Sequence, residues 1–273
     1  MDLDACYNVA LELVKEAGHL ARSAFNQPKP LKLQTKSSSI DLVTETDKAV
    51  EEMLISGLLK AFPDHKFLAE ESADAKMTLT SAPTWIIDPI DGTTNFVHRI
   101  PHIAICVGLY VERKPEIGIV YNPILNELYT ARAGQGAYRN GFRIHVSQTQ
   151  SIETSVIITS MGGGNEARST AYTQTARNLM HANFRGGRSF GSAAINMCFV
   201  AQGSCDAYFE VGLHCWDMAA SGLVVTEAGG HMIDPKGGKF DVMGRRLLCA
   251  ANEQLARELV SKVVSYKCDR DDD

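Results

Sequence analysis

The chain opens with two segments in which apolar residues recur at the spacing of an α-helix. Residues 4–25 place apolar side chains on every third or fourth position, and Pro28 and Pro30 follow soon after. Residues 41–62 repeat this pattern up to Pro63, where the missing N–H of proline ends it. The spacing therefore predicts two amphipathic helices.

The middle of the chain changes to short apolar runs that are typical of strands. Residues 84–87 (Thr-Trp-Ile-Ile) end abruptly in Asp-Pro-Ile-Asp-Gly, so we expect a buried strand that runs into a polar turn. Further strands are predicted at 103–111, 116–121 and 127–131, with turns at 114–115 and 122–123. Antiparallel pairing is their simplest arrangement.

The second half alternates strands with helices, which is typical of sheets covered by helices. The predicted strands are 155–159, 206–210 and 247–251, and the predicted helices are 167–182, 193–202, 216–228 and 253–264. No repeat or low-complexity linker interrupts the chain, and only a soft break in composition falls at 147–151. We therefore predict one α/β domain over residues 1–273, whose acidic end, 269–273, is solvated and frayed.

Composition and charge restrict the class of protein. Apolar residues make up 45% and charged residues 22% of the 273 positions, which is ordinary for a globular protein with a buried core. The net charge of -5 is small and the basic residues are scattered, so neither nucleic acid nor an anionic membrane is expected as a partner. A small molecule is the expected substrate.

The cysteines and the N-terminus indicate the compartment. The seven cysteines, an odd number without a Cys-x-x-Cys pair, are expected to be reduced and buried. The first residues are acidic and helical in pattern, unlike a secretory signal, and no apolar run reaches membrane-spanning length. We therefore expect a cytoplasmic protein.

Acidic residues fall where predicted elements end or begin. Glu70 follows an apolar segment, Asp88 and Asp91 follow the strand at 84–87, and Asp217 begins a helix. Carboxylates at strand ends face the crevice in which layered α/β folds bind ligands. Because Mg²⁺ prefers oxygen ligands, a few convergent carboxylates and one backbone carbonyl suit it.

The segment after the strand at 84–87 carries the strongest signal. Its turn can bring the carboxylates of Asp88 and Asp91 and the carbonyl of Ile90 around one point. Gly92 lets the backbone approach a phosphate, and the next amides would open a helix, where anions are favoured. One loop thus offers metal ligands and a phosphate cradle.

Short motifs along nearly the whole chain are shared with one known family. They are Asp-Leu-Val-Thr-Glu-Thr-Asp (41–47), Ala-Glu-Glu-Ser (69–72), Asp-Pro-Ile-Asp-Gly-Thr-Thr-Asn-Phe (88–96), Gly-Ser-Ala (191–193), Trp-Asp (216–217) and Glu-Ala-Gly-Gly (227–230). In order and spacing they resemble the inositol monophosphatase family, most of all its animal cytosolic members. The resemblance implies a five-layer αβαβα sandwich and a homodimer.

The resemblance also implies a set of metal ligands for two to three Mg²⁺ ions per subunit. A first ion would be held by Glu70, Asp88 and the carbonyl of Ile90, a second by Asp88, Asp91 and Asp217, and a third, weaker ion near Glu70. Such a pair of ions serves both the attacking and the leaving oxygen of a phosphoryl transfer.

Catalytic and substrate-binding roles are implied in the same way. Thr93, hydrogen-bonded to Asp47, would help to orient and deprotonate the attacking water, so the implied catalytic residues are Asp47, Glu70, Asp88 and Thr93. The implied substrate contacts are Lys36, Ile90, Asp91, Gly92, Thr93, Gly191, Ser192, Ala193, Glu210 and Asp217. Glu210 and Asp217 would bind ring hydroxyls. Ser192 stands where the animal enzymes have threonine, and it keeps the hydroxyl.

The implied reaction is Mg²⁺-dependent hydrolysis of myo-inositol monophosphate to myo-inositol and phosphate, with inhibition by Li⁺. A first alternative is a related phosphatase acting on small sugar or nucleotide phosphates. A second is an inactive homologue that only binds metal, which is disfavoured because every implied ligand is present.

Several of these residues also have a plainer interpretation. Taken singly, Asp47 and Asp217 could cap helices. The glycines at 162–164 lack the Lys-Ser/Thr ending of a Walker loop, which favours a surface loop. The histidines beside the motifs, His98, His102 and His214, are expected to be packed or hydrogen-bonded. Cys215 is expected to be a packing residue, since no activating histidine arrangement is evident.

Overall fold

The computed structural model of the chain describes residues 1–27, 33–35, 42–73, 78–160 and 165–273. For residues 33–35, 42 and 43 it describes the backbone alone. Lys36, Asp41 and the glycines at 162–164 lie outside the described residues.

Within these ranges the chain forms seven α-helices and fourteen β-strands. The helices are α1 (Leu3–Phe25), α2 (Glu45–Ala61), α3 (Thr93–Val97), α4 (Glu166–His181), α5 (Ala193–Ala201), α6 (Cys215–Glu227) and α7 (Glu253–Val260). The strands are β1 (Leu33–Thr35), β2 (Leu42–Thr44), β3 (Lys66–Ala69), β4 (Thr84–Asp91), β5 (Ala104–Val111), β6 (Lys114–Asn122), β7 (Glu127–Arg132), β8 (Gly136–Arg139), β9 (Phe142–Ile144), β10 (Val156–Thr159), β11 (Gly186–Arg188), β12 (Ala207–Val211), β13 (His231–Ile233) and β14 (Arg246–Ala250).

These elements stack as five layers, helix, sheet, helix, sheet and helix. The helices α1 and α2 pack on one face of a seven-stranded sheet of order β3-β4-β5-β6-β7-β8-β9. The helices α5 and α6 lie between that sheet and a five-stranded sheet of order β11-β10-β12-β14-β13. The helices α4 and α7 cover the outer face of the second sheet. The structure therefore confirms the layered α/β fold.

The pairing of the middle strands is antiparallel as predicted, with one added parallel strand and one turn at a different position. The strands β4 to β9 are antiparallel to their neighbours, but β3 pairs with β4 in parallel. The predicted turn at 114–115 is wrong: β6 already begins at Lys114. The reversal uses Glu112 and Arg113 instead, both with positive φ, 49° and 61°, as a tight two-residue hairpin requires.

The second helix begins later than predicted. Residues 42–44 are extended and pair with β1, so α2 starts at Glu45 rather than at position 41. The reason is a capping box: the N–H of Asp47 donates to Thr44 Oγ1 at 3.4 Å, and the N–H of Thr44 donates to Asp47 Oδ2 at 3.1 Å. Thr44, extended and β-branched, thus ends one element and caps the next.

The strand at the predicted acidic turn is longer than expected. Instead of ending at residue 87, β4 continues through Asp88 to Asp91, and all eight of its residues are buried. Its register against β5 shifts between Asp88 and Asp91, which is a β-bulge. Pro89 lies inside this irregularity, where a residue without an N–H is tolerated. The two carboxylates therefore belong to a bulged strand and not to a solvated turn.

The end of the chain also differs from its prediction. The helix α7 ends at Val260 rather than at 264, because the following segment packs on α4: the N–H of Val264 donates to Thr175 Oγ1 at 2.8 Å. The acidic end is not frayed throughout, since Asp271 is buried.

All seven cysteines are free, and six of them are buried. Within the described ranges, no helix combines the length and apolar character needed to cross a bilayer.

The central helix α6 lies close to the seven-stranded sheet because that sheet carries glycine at the contact. A Cβ on Gly118 in β6 would lie 2.4 Å from the carbonyl oxygen of Ala220 and 3.3 Å from Leu223 Cβ. A Cβ on Gly108 in β5 would lie 3.2 Å from the backbone nitrogen of Ala220. The backbone of α6 therefore occupies the space that a side chain would need.

We expect Gly118→Ala to lower the free energy of unfolding by about 2 kcal/mol, because the added methyl group pushes α6 away from the sheet. Urea denaturation measures this change. Gly238→Ala is the matched control, since its added Cβ would meet nothing closer than Asp234 Cβ at 3.8 Å. Equal stabilities of the two variants would contradict the close helix–sheet contact.

Candidate active site

Three carboxylates from two layers meet at one point of the structure. Asp88 and Asp91 belong to β4, and Asp217 is the third residue of α6. One carboxylate oxygen from each lies within 4.8 Å of the others. Asp88 and Asp91 are buried, and Asp217 is half-buried. The bulged strand and the start of the helix thus form an acidic triad.

Neutral backbone groups hold each of these carboxylates in place. The N–H of Ile90 donates to Asp88 Oδ1 at 3.0 Å, and the N–H of His214 donates to Asp217 Oδ2 at 2.6 Å. Asp91 receives the N–H of Ala194 at 2.8 Å and accepts a short hydrogen bond from the Ser192 hydroxyl. Asp91 therefore fixes the first turn of α5, as an acidic group at a helix N-terminus does.

The electrostatics of the triad favour a cation. Burial, more than any other cause, raises the pKa of Asp88 and of Asp217 well above the ordinary value, and the neighbouring carboxylates raise it further. Burial raises the pKa of Asp91 to about 6, although its hydrogen bonds from α5 oppose this. In the described part of the chain, no lysine or arginine forms an ion pair with the triad. Three convergent carboxylate oxygens form a set that a hard divalent ion fits.

Glu70 lies beside this triad rather than in it. It follows β3, the parallel neighbour of β4, and its N–H donates to the carbonyl of Ile87 at 3.3 Å. Its charge raises the pKa of both Asp88 and Asp47. Glu70 is therefore close enough to act electrostatically on the site, as expected from its place at the end of an apolar segment.

Thr93 links the triad loop to the beginning of α2. Its Oγ1 lies 3.3 Å from Asp47 Oδ1 and 3.2 Å from the carbonyl oxygen of Ile90, so the hydroxyl can donate to either acceptor. Asp47 is fully buried, and burial raises its pKa to about 6, with a further contribution from the Glu70 charge. The pair that the resemblance implied is thus within hydrogen-bonding distance.

A cavity of about 550 Å³ opens beside the triad. The implied substrate residues that line it are Asp91, Gly191, Ser192, Ala193, Glu210 and Asp217. His102 also lines the cavity. The other lining residues were not assigned to a site from the sequence, and they are Thr94, Asn95, Ile100, Ser160, Ser189, Phe190, Asn196 and Leu213. Asp47, Glu70, Asp88, Ile90, Gly92 and Thr93 lie outside this lining.

The two halves of the molecule touch closely at this cavity. Gly92 has a φ of 89°, and a Cβ there would lie 3.1 Å from the carbonyl oxygen of Gly191. Asn95 joins the same two segments, because its Nδ2 donates to the carbonyl of His102 at 2.8 Å and to that of Phe190 at 2.6 Å. Gly92 is therefore needed for its backbone conformation and for the space beside it.

Glu210 stands on β12 and lines the cavity, and both of its oxygens are engaged. Tyr208 Oη donates to Oε2 at 2.5 Å, and Arg168 Nη2 donates to Oε1 at 3.1 Å. Burial raises the pKa of Glu210, while these two donors oppose the shift. Tyr208 could have been found from the alternation of strand side chains, since it lies two residues before Glu210. Arg168 comes from α4, and no local pattern indicates it.

The three histidines beside the motifs and Cys215 are not assigned to catalysis, and each is packed or exposed. His102 stacks on Phe190 with ring centroids 5.2 Å apart, His214 stacks on Trp216 at 4.7 Å, and His98 is exposed. Burial raises the pKa of the Cys215 thiol well above its ordinary value, so the residue is not a ready thiolate nucleophile.

Comparison with known proteins agrees with this geometry. The profile of the "Inositol monophosphatase family" matches residues 2–267. Human inositol monophosphatase 1 is 44% identical over 98% of this chain and 97% of its own. The crystal structure of extragenic suppressor protein suhB from Bartonella henselae superimposes with a TM-score of 0.86 at 35% identity, over 94% of this chain and 98% of that one.

A further solved protein, SaIMPase-II, was crystallised with inositol monophosphate bound, and separately with 2'AMP bound. The former structure gives a TM-score of 0.79 at 28% identity, over 94% of this chain and 93% of that one. The latter gives 0.81 at 29% identity, over 95% and 94%. With matches of this extent in sequence and in fold, the chain belongs to the inositol monophosphatase family and is a phosphatase.

Proposed function

We propose that the protein hydrolyses myo-inositol monophosphates to myo-inositol and phosphate with Mg²⁺ as its cofactor. The observation that carries the proposal is the acidic triad beside a cavity that Glu210 also lines. A relative that was crystallised with inositol monophosphate bound supports the substrate class. A cytoplasmic homodimer remains part of the proposal on family likeness.

The triad and its neighbours supply the ligands that Mg²⁺ needs. Asp88, Asp91 and Asp217 would hold one ion, and Asp88 would share a second with Glu70 and the carbonyl of Ile90; a third, weaker ion near Glu70 would complete the set of two to three. Two bound ions together lower the pKa of water and neutralise charge on the attacking and leaving oxygens. The chain itself orients two of these ligands through the backbone donors of Ile90 and His214.

Thr93 and Asp47 form a route for the proton that the attacking water must lose. With a pKa raised to about 6, the Asp47 carboxylate is mostly ionised at neutral pH, yet it is a stronger base than an ordinary aspartate. It can take the proton from Thr93 Oγ1, which lies 3.3 Å from its Oδ1, while the hydroxyl takes one from water. Burial of Asp47 keeps competing water away from this pair.

Glu210 is built to recognise hydroxyl groups. Tyr208 and Arg168 each use one of its oxygens, but a carboxylate offers about four acceptor positions, so acceptor capacity remains for vicinal hydroxyls of the substrate. A buried carboxylate that loses such partners is left unsatisfied, which selects against substrates without hydroxyls. Lys36 stays a predicted electrostatic contact outside the described residues.

The second candidate function is hydrolysis of a small nucleotide or sugar phosphate in the same site. The relative that was crystallised with 2'AMP favours including a nucleotide among the substrates tested. The metal chemistry would be unchanged, and only the hydroxyl contacts of Glu210 would differ.

Phosphate release from myo-inositol 1-phosphate, 2'AMP and fructose 1,6-bisphosphate tests the two candidates directly. We expect release from the inositol phosphate to be fastest, to stop with EDTA and to be inhibited by Li⁺. Faster release from another substrate would overturn the assignment of Glu210. Absence of release from all three would favour the inactive homologue.

We expect Asp91→Asn to abolish turnover, because one ligand oxygen and one negative charge are lost from the triad. The fold should persist, since the amide oxygen still accepts hydrogen bonds from the start of α5. Phosphate release and circular dichroism measure the two effects. Asp64→Asn, the same change at an exposed residue, is the control and should leave turnover unaltered. Substantial activity in Asp91→Asn would contradict the metal assignment.

The charge of the triad also predicts how stability depends on pH without metal. The pKa of Asp91 rises from 3.8 to about 6 on folding, so the protonated carboxyl is favoured in the folded state. The stability that this contributes is complete below pH 3.8 and is lost as the pH rises through about 6, and Asp88 and Asp217 act in the same direction.

In EDTA, the melting temperature of Asp88→Asn should therefore exceed that of the unaltered protein by more at pH 8 than at pH 5. Mg²⁺ should raise the melting temperature of the unaltered protein more at pH 8 than at pH 5, because the ionised triad binds it better. Asp64→Asn again serves as the control in calorimetric scans. A variant difference that does not grow with pH would show that the triad is not the source.

A further inference from the structure

The C-terminal tail, residues 266–273, lies against the segment that joins β12 to α6. Glu210 lies just before that segment, on β12, and Asp217 lies just after it, on α6, so the segment connects two residues that line the cavity. The tail contacts it at two separate points, and both involve buried or half-buried polar groups.

The first contact fixes the end of β12. Tyr266 Oη donates to the carbonyl oxygen of Val211 at 2.7 Å, one residue after Glu210. The same hydroxyl would lie 2.5 Å from a Cβ on Gly212, whose φ is 93°. Gly212 thus gives the tail room to approach the backbone, and the approach holds the strand end from outside.

The second contact fixes the start of α6. Asp271 Oδ2 accepts the N–H of Cys215 at 2.8 Å, and Oδ1 lies 2.7 Å from His214 Nδ1. Arg245 adds a charged partner, with its Nε 3.6 Å from Asp271 Oδ1. The Asp271 side chain is only 1% exposed, so these partners replace its water entirely.

The tail is itself held in register before it makes this contact. The N–H of Asp271 donates to the carbonyl of Met243 at 3.0 Å. Next to it, Arg270 Nη1 donates to Asp241 Oδ2 at 2.6 Å, and Arg270 Nε donates to Asp272 Oδ1 at 2.7 Å. Two anchors beside Asp271 therefore limit where its carboxylate can lie.

The link from Asp271 to the triad runs through a single residue. The imidazole of His214 pairs with Asp271, and the backbone N–H of His214 donates to Asp217 Oδ2 at 2.6 Å. Loss of the Asp271 carboxylate would remove the partner of His214 Nδ1 and of the first N–H of α6. His214 would then be held by Arg245 Nη2, 3.1 Å from its Nε2, and by stacking on Trp216. The backbone N–H of His214, which orients the Asp217 carboxylate, would then be less firmly positioned.

We infer that the C-terminal tail is a positioning element of the active site, and that Asp271 is the positioning residue for the Asp217 carboxylate. The inference rests on the proposed function in one respect, namely that Asp217 binds a metal ion. Partners that orient a metal ligand change metal affinity or activity by about 10–100-fold when they are removed.

The test compares Asp271→Ala with Asp269→Ala, which removes the same charge from an exposed position of the same tail. Titration calorimetry with Mn²⁺ and with Mg²⁺ gives the metal affinity, and phosphate release gives the Mg²⁺ concentration for half-maximal activity. Measurements are made well below the melting temperature of each variant. A simple loss of folded protein would lower amplitudes but would not move either affinity.

We expect Asp271→Ala to weaken metal binding by about 10-fold or more, to raise the half-maximal Mg²⁺ concentration equally, and to recover most of kcat at saturating Mg²⁺. Asp269→Ala should match the unaltered protein. Asp271→Asn keeps an acceptor for the Cys215 N–H but lacks the charge, so it should lie between them and serves if the alanine variant does not fold.

Two different failures can be told apart. If the unaltered protein binds metal and both Asp271 variants bind it equally well, the positioning role is overturned while the proposed function stands. If the unaltered protein binds no divalent ion, the metal role of Asp217 fails, and the positioning role fails with it.

Discussion

The structure depends on keeping three negative charges together where little water reaches them. Asp88, Asp91 and Asp217 lie with oxygens within 4.8 Å, and their burial raises every one of their pKa values. Such a cluster is unfavourable in the bare protein and becomes favourable when a cation enters. The surrounding fold therefore has to prevent the carboxylates from turning away. It does so with backbone donors from β4, from α5 and from His214, the residue before α6.

The layered arrangement makes this possible. The strand β4 is held between β3 and β5, so its bulge can present Asp88 and Asp91 without loss of the sheet. The middle layer then directs the first turns of α5 and α6 at the same place, and glycines in β5 and β6 let α6 approach the sheet. Asp88 and Asp91 meet Asp217, more than 120 positions later in the chain, because α5 and α6 pack between the two sheets.

Long periodic segments were predictable from the sequence, and so was the acidic centre. The helix over Leu3–Phe25 follows from its spacing, because it buries one stripe of residues. The helices α5 and α6 are buried on nearly every side between the two sheets, and their apolar runs indicated them. Three-residue strands such as β9 and β11 carry too little alternation to be seen. The same holds for β1 and β2, of which β2 was assigned to a helix.

Other features could not be read locally because they depend on contacts made across the fold. The extension of β4 to Asp91 depends on its neighbours in the sheet, which accept a bulge at Pro89. The pairing of Arg168 with Glu210 spans 42 residues, and the burial of Asp271 depends on a helix start 56 residues away. From its sequence alone, a hydrophilic tail is expected to be solvated, because its contacts with distant residues are not visible there.

The separation of Glu210 from the acidic triad has a consequence for how new specificities arise. The triad is anchored mainly on the seven-stranded sheet, whereas Glu210 and its partners Tyr208 and Arg168 belong to the five-stranded sheet and the helix that covers it. Under the proposed function, substitutions on β12 and α4 would alter which alcohol is accepted without touching a residue assigned to the metal. Descendants of such a scaffold would thus exchange substrates one mutation at a time while their metal-binding residues stayed unchanged.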